Sequence, residues 1–378
     1  MAQLKEENCR LLIVAGCLSQ RYNDEFLENF PEVDAVVGTA SYTEIAEVIE
    51  RAKKGERFVL AGDISKDIEE EEIRINTCGA FAYLKIAEGC DNKCTYCIIP
   101  KLRGKYRSRK PENIIAEAES LASEGVRELV VIAQDTSRYG QDLDEDITLA
   151  GLLKRLCQIE GIEWIRVLYL YPEMVTDELI EAFAENEKIV PYVDIPIQHC
   201  NDADLKRMGS RTSKKQILEV INKLREKVED ITIRTSLIAG FPGETREQFE
   251  ELLEFVRDVK FDRLGAFAYS QEEDTPAALL PDQIDEEEKE KRAAEIMSLQ
   301  RIISEEKQKQ KEGKVIKVLT EGYDEGNFMY YGRSKADAPE VDTLVYFASE
   351  EETEIGSFAD VLILDSDEYD LTGKRLIK

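Results

Sequence analysis

The chain of 378 residues carries 79 acidic against 50 basic side chains, a formal charge of −29. That balance argues against a nucleic-acid partner gripped through its phosphates, which needs a basic face, and fits a basic protein partner better. Eight cysteines in so long a chain do not make a disulfide scaffold, Met1 to Arg10 is too polar for a signal peptide, and no apolar run approaches the span of a membrane helix. A reducing, cytoplasmic setting is expected.

Taken in order, residues 1–60 read as an α/β fragment. Leu11–Ala15 and Val33–Val37 have the apolar texture of buried strands, with helical stretches at Ser19–Asn29 and Tyr42–Lys53. Two strands are too few for a domain core. An acidic run, Glu69–Glu72, follows in a linker and reads as a solvated face.

Next comes Glu88-Gly89-Cys90-Asp91-Asn92-Lys93-Cys94-Thr95-Tyr96-Cys97, directly after the strand-like run Phe81–Ala87. Three cysteines spaced C-x3-C-x2-C in a polar loop suit one small inorganic group. A closed zinc site wants four ligands, with Cys78 as the distant fourth. A four-iron cluster on three thiolates keeps one iron open for a small molecule.

From there the pattern alternates strand and helix. Strands are predicted at Phe81–Ala87, Glu128–Ala133, Trp164–Tyr169, Tyr192–Ile195, Thr232–Ala239 and Arg263–Phe267. Amphipathic helices fall at Pro111–Ser123, Leu149–Gln158, Thr176–Ala184, Lys214–Lys227 and Thr245–Val259. Such βα repetition implies a parallel sheet, here a partial (β/α)6 barrel, whose chemistry belongs at the C-terminal strand ends. Those ends carry the cysteine loop, Gln134-Asp135, Tyr171-Pro172, Gln198-His199, Gly240-Phe241-Pro242-Gly243 and Ser270.

A charged helix with an apolar stripe of Ile296, Leu299, Ile302 and Ile303 is predicted over Asp285–Glu312. After Gly313 short β-runs follow: Val315–Leu319, Phe328–Tyr331, Leu344–Phe347, Val361–Leu364 and Leu371–Leu376. They suggest a small antiparallel barrel. From Gly313 onward seven basic residues face fifteen acidic ones, a net −8, the wrong sign for gripping RNA and the right one for attracting a basic protein.

Cys90, Cys94 and Cys97, with Tyr96 as the aromatic before the last of them, resemble the signature of the radical S-adenosylmethionine (SAM) superfamily. The resemblance implies a [4Fe-4S] cluster whose open iron binds SAM. Beyond the loop, Ala133–Gly140, Ile195–His199, Ala239–Thr245, Tyr269–Ala278 and Gly332–Glu340 resemble the methylthiotransferases, closest to their RimO type. The tRNA-modifying MiaB type usually carries a Pro-Arg-Gly stretch where this chain has Gln271-Glu272-Glu273-Asp274. The resemblance implies methylthiolation of the β-carbon of an aspartate in small-subunit ribosomal protein twelve, served by an external electron donor and sulfur source. The domains implied are a methylthiotransferase N-terminal domain over 1–60, a radical SAM core over 76–305, and a TRAM domain, an OB-like barrel, over 308–378. Alternative readings are a tRNA methylthiotransferase and a non-catalytic iron–sulfur fragment.

The family also implies a second [4Fe-4S] cluster on three N-terminal cysteines. Gly16–Tyr22 matches the segment around the third, which makes Cys17 a ligand. The other two belong upstream of it, so the chain reads as an N-terminally truncated member. Cys9, Cys157 and Cys200 read as structural. For SAM, the candidates are Tyr96, Gln134, Arg234, Gly240 and Pro242. Arg234 reaches a carboxylate if it points inward, or else forms a structural ion pair. Gly240 either lets SAM approach the backbone or only makes a tight turn. Lys101, Arg103, Lys105, Arg107, Arg109 and Lys110 form a basic island that screens the cluster, holds a carboxylate of SAM or of the target aspartate, or is a solvated face. His199, the single histidine, is expected to hydrogen-bond rather than bind metal.

Overall fold

The computed structural model describes residues 3–66, 79–144 and 147–377. Cys78 and the acidic run Glu69–Glu72 lie outside the described residues. The chain forms two compact units. The first comprises Met1–Glu71, Glu88–Asn92 and Cys97–Arg107; the second comprises Glu72–Ala87, Lys93–Tyr96 and Ser108–Lys378.

In the first unit, β1 (Ile13–Ala15), β2 (Ala35–Val37) and β3 (Phe58–Leu60) form a parallel sheet in that order. The sequence predicts only the first two strands. Phe58–Leu60 is too short to show a period, and its side chains are only half-buried. The middle strand is fully buried, as a strand covered on both faces must be. Helices α1 (Cys17–Arg21), α2 (Asn23–Asn29) and α3 (Ile45–Lys53) connect the strands, and Val48 of α3 packs with Ala35 and Val37.

The second unit is built on six parallel strands in sequential order. They are β4 (Phe81–Lys85), β5 (Glu128–Ile132), β6 (Trp164–Val167), β7 (Ile189–Asp194), β8 (Thr232–Ala239) and β9 (Arg263–Ala268). The sheet is open, as predicted for a partial barrel. Helix starts follow local chemistry. Ser213 and Gln216 cap α4 (Lys214–Lys227) reciprocally, and Thr245 and Gln248 do the same for α5 (Arg246–Val259).

Strand β7 begins three residues before its predicted start, because Pro191 argues against a central strand. The register between β6 and β7 shifts between Ile165 and Val167, and that irregularity accommodates the proline. The predicted Trp164–Tyr169 strand stops at Val167, since Tyr169 takes a left-handed backbone, φ 62°.

Helix α6 (Glu286–Lys309) buries a polar face that the predicted apolar stripe misses: Lys289, Arg292, Gln300 and Gln308 accompany Ile296 and Ile303, whereas Ile302 is exposed. After it, β10 (Val315–Asp324), β11 (Met329–Ser334), β12 (Val345–Ala348), β13 (Phe358–Ser366) and β14 (Leu371–Arg375) close a barrel in the order β10-β11-β12-β14-β13. The barrel is not wholly antiparallel, because β12 and β14 pair in parallel.

Residues of β10, of β11 and of the segment after it dock on the N-terminal portions of the sheet strands, in part through buried charges. Glu128 binds Arg166 at 2.7 Å and Arg333 at 2.6 Å, and all three side chains are buried. Arg263 pairs with Asp337 at 2.5 Å, and the Tyr192 hydroxyl donates to Asp342 at 2.6 Å. Apolar packing joins in, with Leu319 and Ala338 against Val130, Trp164 and Tyr192. Buried charges persist only when paired this fully.

Candidate active site

In the first unit, the residues around Cys90 are fixed by backbone contacts. Gly89 has φ +82°, and a Cβ there would lie 2.0 Å from the Lys105 carbonyl oxygen, so only glycine fits. Cys90, itself buried, donates its N–H to the Gly104 carbonyl at 3.2 Å. Asp91 accepts the Tyr106 N–H at 3.2 Å. Cys97 is half-buried.

The same unit holds Cys17 at the start of α1. Arg103 donates from Nε to Cys17 Sγ at 3.1 Å and lies 3.4 Å from Glu88. Burial alone would lower the Arg103 pKa, but the Glu88 carboxylate and Cys17 outweigh it and hold the guanidinium charged. Arg107 donates to the Lys105 and Arg103 carbonyls. Two arginines of the basic island are therefore spent on local contacts, while Lys101 and Lys105 are exposed.

In the second unit, Cys94–Tyr96 is clamped. Thr95 donates its N–H to Met208 O at 2.9 Å and its hydroxyl to Arg207 O at 2.8 Å, and its carbonyl accepts from Ala277 N at 2.9 Å. The Tyr96 ring packs against Met208, Phe241, Tyr269 and Ala277. Burial raises the pKa of the Cys94 thiol; hydrogen bonds from Tyr96 and Tyr171 oppose this. Arg109, the buried member of the basic island, is paired with Glu117 at 2.6 Å.

The C-terminal strand ends of this unit carry Gln134, half-buried after β5, and Gln198 after β7, which adopts a left-handed φ of 67°. His199 is wholly buried. Its Nδ1 accepts the Asn201 N–H at 3.0 Å, which leaves Nε2 to donate to Glu244 at 3.3 Å. Glu244 also accepts the Gly240 N–H and pairs with Arg292 of α6 at 3.2 Å. The Gly240–Gly243 turn is thus tied to a histidine, a carboxylate and a guanidinium. Hydrogen bonding, as predicted, is the histidine's role.

Two candidate SAM contacts change meaning. Arg234 is committed to Asp194 at 2.7 Å and lies 3.7 Å from Asp342, the structural ion-pair alternative. A Cβ on Gly240, φ +73°, would lie 2.4 Å from the Lys289 side chain, so helix packing and not an open cradle requires the glycine. Pro242 is buried beside it. Glu244, Lys289 and Arg292 escape sequence reasoning as turn-holding residues. Glu244 stands in a quoted motif, but the two basic residues look like any others on a charged helix.

The donor chemistry at the loop fits an iron–sulfur cluster. None of the described cysteines is in a disulfide. Among the described residues no three His, Cys, Asp or Glu side chains form a single-ion site. Three soft thiols within eight residues suit iron and sulfide.

Two family models match the chain: the radical SAM superfamily over residues 84–256 and the TRAM domain over residues 313–376. Among curated relatives, the ribosomal protein uS12 methylthiotransferase RimO of Acetivibrio thermocellus is 50% identical over 382 residues, covering 99% of this chain and 84% of that protein. The RimO of Clostridioides difficile is 51% identical, covering 99% and 85%. Among solved structures, the radical SAM methyltransferase TsrM from Kitasatospora setae, with cobalamin and a [4Fe-4S] cluster, aligns with a TM-score of 0.56 at 14% identity. It covers 73% of this chain and 58% of that one. The cobalamin-dependent enzyme OxsB aligns at 0.51 and 14% identity, covering 79% and 45%. These two share the fold. Half-identity across nearly the whole chain, with both family models in place, shows that this chain belongs to the RimO family of radical SAM methylthiotransferases.

Proposed function

We propose that this chain adds a methylthio group to the β-carbon of an aspartate of ribosomal protein uS12, as a radical SAM methylthiotransferase. The observation that carries the reading is the C-x3-C-x2-C loop after the first of six parallel strands, in a chain half identical to uS12 methylthiotransferases. The family uses a [4Fe-4S] cluster with SAM, and a second cluster. When bound, these groups supply the one-electron chemistry and the sulfur that an unactivated C–H bond requires.

The residues' parts follow from their settings. Cys90, Cys94 and Cys97 would hold the first cluster. Tyr96 would fix the loop through its packed ring and its hydrogen bond to Cys94. Cys17, with Arg103 on its sulfur, would serve the second cluster. Gln134 is the remaining polar candidate toward SAM, and the turn through Gly240 and Pro242 would shape that side of the pocket.

The domain limits that accord with this reading are 1–60, 76–305 and 308–378, which enclose both matched segments. The net −8 from Gly313 onward supports a basic ribosomal protein as partner over a nucleic acid. An electron donor and a sulfur source would come from other proteins or small molecules. A ribosomal substrate supports a cytoplasmic setting; separately, no described helix is long and apolar enough to cross a membrane.

The test is anaerobic reconstitution with iron, sulfide and SAM, followed by mass spectrometry of uS12 peptides. Release of 5′-deoxyadenosine together with methylthiolated aspartate is expected. Modification of tRNA in place of uS12 would overturn the reading.

A further inference from the structure

A cavity of about 570 Å³ opens at the N-terminal ends of the sheet strands, away from the strand ends that carry the cofactor candidates. Its wall includes Pro191 of β7, Thr232 of β8, Arg263 of β9, the end of α6 and the start of β10. The lining is unusual for so acidic a chain. Arg263, Lys307, Lys311, Lys314, Lys317 and Lys335 all border it, against the acids Glu229, Asp230 and Asp262.

The cations are unequally spent. Lys307 pairs with Asp262 at 2.5 Å, and Lys335 donates to the Glu187 carbonyl at 3.2 Å. Lys317 lies 3.8 Å from Glu163 and 4.3 Å from the Phe358 ring centre. Lys311 and Lys314 have no side-chain hydrogen bond or ion pair among the described residues. Arg263 uses both terminal nitrogens, on Asp337, Thr343 and the Asp262 carbonyl, and its Nε is buried away from the cavity. Glu229 and Asp230, the acids left over, are exposed and free to stay hydrated. Burial drives the Lys311 amine down to about 8, despite the favourable charge of Asp337 nearby. A desolvated amine without a bonded counter-ion is costly unless an anion completes it.

We infer that this cavity binds a small phosphate-bearing molecule, with Lys311 and Lys314 as the groups that meet the phosphate. The volume lies within the roughly 300–1,000 Å³ usual for small-molecule sites. Lysines serve phosphate as point charges, and an excess of cations suits a multiply charged group better than a single carboxylate. A recess in a chain of net charge −29 excludes a long polyanion, whose flanking phosphates would meet the acidic surface. The ligand is therefore a small molecule and not a nucleic acid.

The experiment is titration calorimetry of the whole protein with inorganic pyrophosphate at constant ionic strength. One saturable site per chain is expected, with affinity at least about tenfold weaker in Lys311→Met, since a charge-assisted contact is lost. Lys314→Met, at an exposed position, should weaken binding as well, and it guards against misfolding of the half-buried Lys311 variant. Lys215→Met, on the exposed face of α4, should change nothing. Pyrophosphate should also raise the melting temperature of the unmodified protein and not that of Lys311→Met. The absence of saturable binding, or an affinity in both cavity variants unchanged from the parent, would overturn the proposal. So would displacement of pyrophosphate by a short oligouridylate at lower concentration.

Discussion

His199 and Glu244 meet through Nε2 and Oε1 at 3.3 Å, both wholly buried, at the turn that follows the fifth strand of the sheet. One carboxylate there serves the histidine, the Gly240 N–H and Arg292. Glu244→Ala should destabilise the protein by about 1–3 kcal/mol, because it leaves the buried Gly240 N–H and His199 Nε2 without their acceptor, while Arg292 keeps Glu288 at 2.8 Å. Differential scanning calorimetry checks the loss. A melting temperature unchanged from the parent would show that the turn holds itself.

The cysteine loop makes a sharper claim. Cys90→Ala, Cys94→Ala and Cys97→Ala should each lose the cluster of about four irons and all SAM cleavage, because two thiolates do not retain it through redox change. Iron analysis after anaerobic reconstitution, with chromatography for 5′-deoxyadenosine, gives the readout. Normal cleavage by Cys94→Ala would remove the assignment.

Association with uS12 should weaken as salt rises. Opposite charges separated by more than a Debye length, about 8 Å at physiological ionic strength, are screened. A roughly tenfold loss of affinity between about 0.05 and 0.3 M salt is expected, mostly in the association rate. Salt-independent binding in surface plasmon resonance would argue for an apolar interface.

Asp337 carries a pH signature. Burial works to raise its pKa, but the charges of Arg263 and Lys311 and the Ser334 hydrogen bond hold it well below the usual carboxylate range. A depressed folded-state pKa means stability that is complete above the unfolded value, about 3.9, and lost as pH falls below it. Asp337→Asn should cost about 3–5 kcal/mol at neutral pH, and the gap to the parent should narrow below about pH 4. Denaturant melts across that range measure the gap. A gap constant down to pH 3 would show that the carboxylate contributes through shape alone.

The sequence by itself determined the order of the six parallel strands, their helices, the terminal barrel and the identity of the cysteine loop. These are local or periodic properties. Strand β8 runs Thr232–Ala239 as predicted because apolar and β-branched residues declare a buried strand without reference to neighbours. The loop spacing is likewise a property of eight consecutive residues.

What only the tertiary structure decided concerns residues whose partners are far along the chain. Phe58–Leu60 became a strand only beside Ala35–Val37, and Pro191 entered one only where the register shifts. Arg234 and Gly240 looked like cofactor contacts, yet Asp194 claims one and Lys289, forty-nine residues on, explains the other. Glu128 and Arg333 are 205 positions apart and meet at 2.6 Å in the interior. Long polar side chains carry no periodic signal. Whether each is solvated, paired or poised for a ligand depends on which charge the fold brings within reach.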